Sequence, residues 1–252
     1  SKVYNLGMQK RATEKVTIGY KARNLKAHLK AADKADAQYC VILGENELNN
    51  GTLWVKDDSG NPTHSFKDRV VAVAQSAGIQ LGFNTLACAS TGNLAHAVAA
   101  AAARAGQKSV VLVPSNLEQH KIQATAAYNG HVIGIEGNYD DVNRLCGELI
   151  GEEVSANWGF VNVNLRPYYA EGSKTVGYEI AEQLGWRLPD QVVIPVASGA
   201  LLTKVDKGWR EFVELGLVPD RPWRVFGAQA TGCNPVSTAW ADGSEVVRPV
   251  KP

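Results

Sequence analysis

Neither sign of charge prevails in this sequence: 26 Lys and Arg stand against 25 Asp and Glu, for a net charge of +1. Nothing in that balance points to a nucleic-acid, membrane or polyacidic partner. A slight surplus at the front, ten Lys and Arg against seven Asp and Glu in residues 1–58, reads as a solvated face. Cysteine is scarce. Cys40, Cys88, Cys146 and Cys233 lie far apart in apolar settings with no CxxC, so reduced, mostly buried thiols are expected rather than a disulfide framework. The five histidines are scattered and form no H-E-x-x-H pair, so no metal centre is predicted. No secretory apolar segment opens the chain, and no apolar run reaches the roughly 18 residues of a membrane span. These absences predict a cytoplasmic protein with neither a membrane nor a nucleic-acid partner.

What is present is an ordinary globular composition, 45% apolar over 252 residues, enough for one large domain or two smaller ones. From residue 80 onward apolar strands alternate with helical patterns. NTLACAS (84–90), SVVLVP (109–114), HVIGIEG (131–137) and WGFVNVN (158–164) read as strands. Between them lie the alanine-rich NLAHAVAAAAARAG, then EQHKIQATAAYNG and DDVNRLCGELI, all with helical spacing. Continuous apolar strands alternating with helices predict an α/β protein with parallel sheets flanked by helices. After Pro167 a helix (GSKTVGYEIAEQLGW), a strand (QVVIPVAS), a helix (LLTKVDKGWREFVELG) and a strand (WRVFGAQA) continue the series in a separate sheet. VTIGY, QYCVILG and TLWVKDD are strand-like at the front, with NLKAHLKAADKA a helix, and Asp57 to Pro62 is a turn and a candidate junction.

Three short segments carry chemistry. Lys67, in THSFKDR, stands at the mouth of a helix with VVAVA behind it. A solvated lysine is one reading, but a helix N-terminus disfavours a cation and burial lowers an amine pKa. A deprotonated amine is what Schiff-base chemistry needs. ASTGNLAHA (89–97) joins a strand to a helix, where Thr91, Gly92 and Asn93 can hold an anion or simply make an ordinary cap. PVASGALLTK (195–204) is a second small-residue turn; Ala197, Ser198, Gly199 and Ala200 permit a close backbone approach to phosphate. It matches neither the G-x-G-x-x-G nor the P-loop spacing.

NPTHSFKDR, ASTGN with its alanine-rich helix, GNYDD, EGSKT and VVIPVASGALLTK together resemble the threonine synthases, within the tryptophan-synthase-β-like, fold-type-II pyridoxal-phosphate enzymes. The resemblance runs from about Ser59 to Pro252, and the longer NPTHSFKDR, RPYYAEGSKT and GAQATGCNP forms favour threonine synthases over dehydratases and cysteine synthases. It implies pyridoxal 5'-phosphate as cofactor, bonded to Lys67, which would also shuttle protons. Asn93 would bond the cofactor's 3-hydroxyl, and the turn Ala197, Ser198, Gly199, Ala200, Leu201 would bind its phosphate. Ser90, Thr91 and Gly92 would hold the substrate carboxylate, with Asn164 and Arg166 as candidates for the phosphate of O-phosphohomoserine. The implied reaction is a lyase step that converts this small molecule and water to threonine and phosphate.

Two departures accompany the resemblance. The family's Ser or Thr partner for the ring nitrogen lies near the C-terminus, and this chain stops at RPVKP before any such segment, so the fold is expected to be incomplete there. Residues 16–57 instead resemble half of an anticodon-binding domain of the histidyl-tRNA synthetase type, through NLKAHLKAADKA and VILGENEL. The expected domains are therefore 1–58, a β-α-β-β segment, and 59–252, the pyridoxal-phosphate domain, with 84–165 as its smaller subdomain. The alternative function is a truncated or chimeric scaffold that binds the cofactor without turnover. Unpaired strand edges would invite a homodimer.

Overall fold

Apolar runs with β-branched residues become strands where both faces are covered, and the first sheet is built from such runs. The computed structural model describes residues 54–162, 167–248 and 250. The chain divides into two units, residues 57–227 and residues 1–56 with 228–252. The expected front segment 1–58, including its helix and strands, lies almost wholly outside the described residues. Residues 54–58 form no strand, although TLWVKDD reads as one, and Trp54 and Val55 are exposed.

In the larger unit, α1 (Lys67–Gln80) precedes β1 (Thr85–Ala89), α2 (Asn93–Arg104), β2 (Lys108–Pro114), α3 (Gln119–Ala126), β3 (His131–Ile135), α4 (Tyr139–Glu148) and β4 (Trp158–Phe160). The four strands form one parallel sheet in the order β3-β2-β1-β4, as expected for residues 84–164. Every residue of β1 is buried, because it is a central strand with helices on both faces. Alternation sorts its side chains. Leu86 and Cys88 join Val111 and Val113 in a core with α1 and α2, while Ala87 and Ala89 pack with Val110, Leu112 and the Val142 and Cys146 of α4. The alanines of α2 let it lie close on the sheet; Ala95, Ala97, Ala101 and Ala102 are all buried there. GNYDD proves to be a helix start: the Asn138 side chain accepts from the Asp140 and Asp141 N–H groups, and Asp141 accepts from the Asn138 N–H.

The order of this sheet matters for function. From β1 the chain steps outward to β2 and β3, then returns to place β4 on the other side of β1. Loops leaving β1 and β4 therefore diverge, and a crevice at the carboxyl ends of those two strands is where open α/β sheets take ligands.

α5 (Pro167–Gln183), β5 (Gln191–Pro195), α6 (Ala200–Glu214) and β6 (Arg224–Ala228) follow. β5 and β6 make a separate two-stranded sheet. α5 begins five residues earlier than GSKTV suggests, since a proline is tolerated in a helix's first turn. A core of Val176, Ile194, Val205 and Trp209 joins this sheet to α5 and α6, and Trp209 Nε1 donates to the Gly177 carbonyl at 2.8 Å. Val193 and Phe226 on the small sheet are 50% and 44% exposed.

In the other unit α7 (Pro235–Ala241) is capped by Gln229, whose Oε1 accepts from the Ser237 N–H at 3.0 Å. Cys88 and Cys146 are buried as expected, whereas Cys233, in the turn before α7, is exposed. Among the described residues no helix is long and apolar enough to cross a membrane, and no group of His, Cys, Asp and Glu has the makings of a metal site.

Candidate active site

The loop before Lys67 is rigid through its own polar groups. Asp68 accepts from both the N–H and the hydroxyl of Thr63 at 2.9 Å, and Asn61 Nδ2 donates to the Ser65 carbonyl at 3.0 Å. Arg69 forks between Asp58 at 2.8 Å and Glu179 of α5 at 2.6 Å. Bidentate guanidinium–carboxylate pairs fix direction as well as distance. Thus most of NPTHSFKDR serves to hold one lysine.

Lys67 is the first residue of α1 and points into the protein. Its Nζ donates to the Tyr169 hydroxyl and lies 4.5 Å from the Phe66 ring centroid and 4.7 Å from that of Tyr169. Burial among these rings lowers its pKa from the ordinary 10.5 to about 8, because a charged amine loses its water there. Between about pH 8 and 10.5 the unfolded chain therefore binds more protons at this group than the fold does. Stability should rise with pH across that window, and denaturant midpoints of the wild type and Lys67→Met should converge as pH climbs through it.

Ser90 to Gly92 form the turn from β1 into α2, at the crevice. Ser90 is buried, and its Oγ accepts from the N–H groups of Gly92 at 3.3 Å and Ala95 at 3.2 Å, so this hydroxyl caps the helix in place of Gly92. Asn93 is the first helical residue and is exposed. Ala89, just before the turn, is clamped on both sides of its backbone. Asn162, at the end of β4, accepts from its N–H at 3.3 Å, and Tyr139 donates to its carbonyl at 3.3 Å. Asn162 is itself buried and donates to Asn143 of α4 at 3.0 Å.

Ala197 to Leu201 lead from β5 into α6. Gly199 has φ +82°, a left-handed conformation natural to glycine, and no atom lies within 4 Å of where a Cβ would stand. The first N–H groups of a helix have no carbonyl partner within it; at the start of α6 the exposed Ser198 Oγ accepts from the Ala200 N–H at 3.4 Å. Phe66 ties the parts together. It packs on the core holding Tyr169, Leu94 and Ala200, and also on the core that Leu201 joins. Lys67, the start of α2 and the start of α6 thus border common apolar ground. Asn164 and Arg166 lie outside the described residues. An open groove of about 400 Å³ runs elsewhere, along Ala72, Val73, Ser76, Ala77 and Gln80 on the outer side of α1.

Tyr169 and Asn162 were not singled out from the sequence. A buried tyrosine in a helix reads as core, and Asn162 becomes visible only when β4 is known to lie beside β1.

The family model for pyridoxal-phosphate dependent enzymes matches residues 40–252, well over half the chain. The chain belongs to the pyridoxal-phosphate dependent enzymes. It is 38% identical over 211 residues to a threonine synthase of Methanosarcina acetivorans, covering 83% of this chain and 51% of that protein. To a threonine synthase of Methanocaldococcus jannaschii it is 34% identical, with 82% and 50% covered. The chain spans about half the length of these relatives. Maize serine racemase is similar in structure, with a TM-score of 0.63 at 21% identity over 78% of this chain and 57% of that one. A pyridoxal 5'-phosphate-dependent aspartate racemase gives 0.64 at 19% identity over 93% and 70%. These likenesses establish the fold-type-II architecture. The cofactor of this family is pyridoxal 5'-phosphate, and the residues present suit it: a buried amine of lowered pKa, and an open helix start at a left-handed glycine for a phosphate.

Proposed function

We propose that this chain carries threonine-synthase chemistry, the conversion of O-phosphohomoserine and water to threonine and phosphate. The observation that carries the reading is the part-buried Lys67 amine, held between the Phe66 ring and the Tyr169 hydroxyl and bordering the same core as two helix-start turns, in a chain 38% identical to a threonine synthase. When bound, pyridoxal phosphate supplies an electron sink for carbanions formed on the amino-acid substrate. The protein binds, orients and moves protons. Lys67 Nζ would hold the cofactor through its aldehyde carbon and would take and return the substrate's protons. The N–H groups from Ala197 to Leu201, with Ser198 Oγ, hold the cofactor phosphate at the start of α6. Asn93 would bond the ring's 3-hydroxyl, and the α2 turn of Ser90, Thr91 and Gly92 would receive the substrate carboxylate. Asn164 and Arg166 are assigned to the substrate phosphate. The Ala89 clamp by Asn162 and Tyr139 keeps the carboxylate turn from shifting, since a misplacement of about 1 Å can cost about a hundredfold in rate.

The test is to supply O-phosphohomoserine to the cofactor-loaded protein and measure both products. Equal yields of threonine and phosphate are expected. Cofactor capture with neither product would leave a binder of the same family, and phosphate without threonine would assign a different lyase.

A further inference from the structure

Lys67 and Tyr169 lie 102 positions apart in the chain, yet the phenol is the hydrogen-bond partner of the amine. The contact is built in. Gly172, one turn after Tyr169, lets α5 approach α1 so closely that a Cβ there would stand 2.6 Å from Val70 Cα. Tyr169 itself is 3% exposed.

We propose that Tyr169 is a positioning residue acting through Lys67: its phenol oxygen accepts from the amine, fixes the direction of Nζ and favours its protonated form. The inference rests on the reading of Lys67 as the cofactor lysine. A hydrogen bond from an ammonium is about twice as strong as one from a neutral amine, so the phenol favours the charged form. The face of Phe66 acts in the same direction. The phenol keeps its own proton meanwhile, since burial raises its pKa to about 12, with Tyr139 of α4 and Cys88 of β1 adding to the effect.

The charged groups of α1, α5 and α6 nearby are engaged. Asp68 is held by Thr63, and Arg69 by Asp58 and Glu179. Glu171 and Lys174 of α5 pair with one another and with Lys204 and Glu211 of α6. α2, packed against α1, contributes His96, whose Nε2 is buried with no hydrogen-bond partner among the described residues, and, at its far end, Arg104. Lys67 has two tasks with opposite needs. A neutral amine captures an aldehyde, whereas a protonated one returns a proton to substrate, and both are served by a pKa near working pH. Tyr169 supports the second task.

The experiment is competitive acylation of the cofactor-free full chain across pH, read on the Lys67 peptide by mass spectrometry. Tyr169→Phe, which keeps the ring, should lower the amine's midpoint by about one pH unit. It should capture pyridoxal phosphate at neutral pH within about twofold of wild type, while threonine formation falls about a hundredfold. A midpoint that stays put or rises, or capture and turnover falling together, overturns the proposal. Should Tyr169→Phe fail to fold, 3-fluorotyrosine at 169, a weaker acceptor in the same packing, must lower the midpoint too; an unmoved midpoint there overturns the proposal equally. Absence of cofactor from the Lys67 peptide in the wild type would instead sink the reading of the site.

Discussion

Lys67→Ala should abolish cofactor capture and reduce threonine formation by at least about a thousandfold. The size follows from the two tasks given to one nitrogen. Positioned acid–base groups contribute about 10² to 10⁴ in rate, and loss of the covalent anchor adds to that. Folding should survive, because removing a desolvated charge offsets the loss of its hydrogen bond to the core residue Tyr169. Circular dichroism and the denaturant midpoint check that half of the expectation. Absorbance of bound cofactor and product yield check the other. A variant that stayed coloured would mean that another lysine carries the cofactor. Lys174 is a poor substitute, being tied to Glu171 at 2.5 Å and Glu211 at 2.7 Å.

Gly172→Ala should be the most damaging single-methyl change in the larger unit. Its Cβ would meet Val70 Cα at 2.6 Å, the Arg69 carbonyl at 3.0 Å and the Val70 carbonyl at 3.1 Å. All three are backbone atoms of α1, so no side-chain rotation relieves the clash. Overpacking of this kind costs about 1–3 kcal/mol, and more where backbone must move. The helices can part only by withdrawing Tyr169 from Lys67. Stability and the Lys67 pKa should therefore change together, as the denaturant midpoint and the acylation profile would reveal. Gly147→Ala, where a Cβ meets nothing within 4 Å at an exposed position of α4, is the control and should be neutral or stabilising by up to about 1 kcal/mol.

This also explains what could be read from the sequence. The first sheet was legible because central parallel strands are apolar on both sides, and LACA and SVVLV leave few alternatives. The start of α2 and the lysine were legible because each combines small or polar residues with an abrupt change of period. EGSKT was recognisable only as part of a resemblance. Its physical content, a glycine at a helix crossing and a lysine bridging two carboxylates, depends on α1 and α6, which are distant in sequence. Asn162 is the same case. Its value comes from β4 lying beside β1, a neighbour relation set by the return of the chain across the sheet. The second sheet was read less well; TLWVKDD has strand composition, yet residues 54–58 pair with no strand.

The account rests on one nitrogen meeting one aldehyde, and that meeting can be fixed chemically. The wild-type chain is mixed with pyridoxal 5'-phosphate, reduced with borohydride, digested and mapped by mass spectrometry. A single phosphopyridoxyl group on Lys67 is the predicted result. The same group spread over surface lysines, or placed on any other lysine while Lys67 stays unmodified, would contradict it.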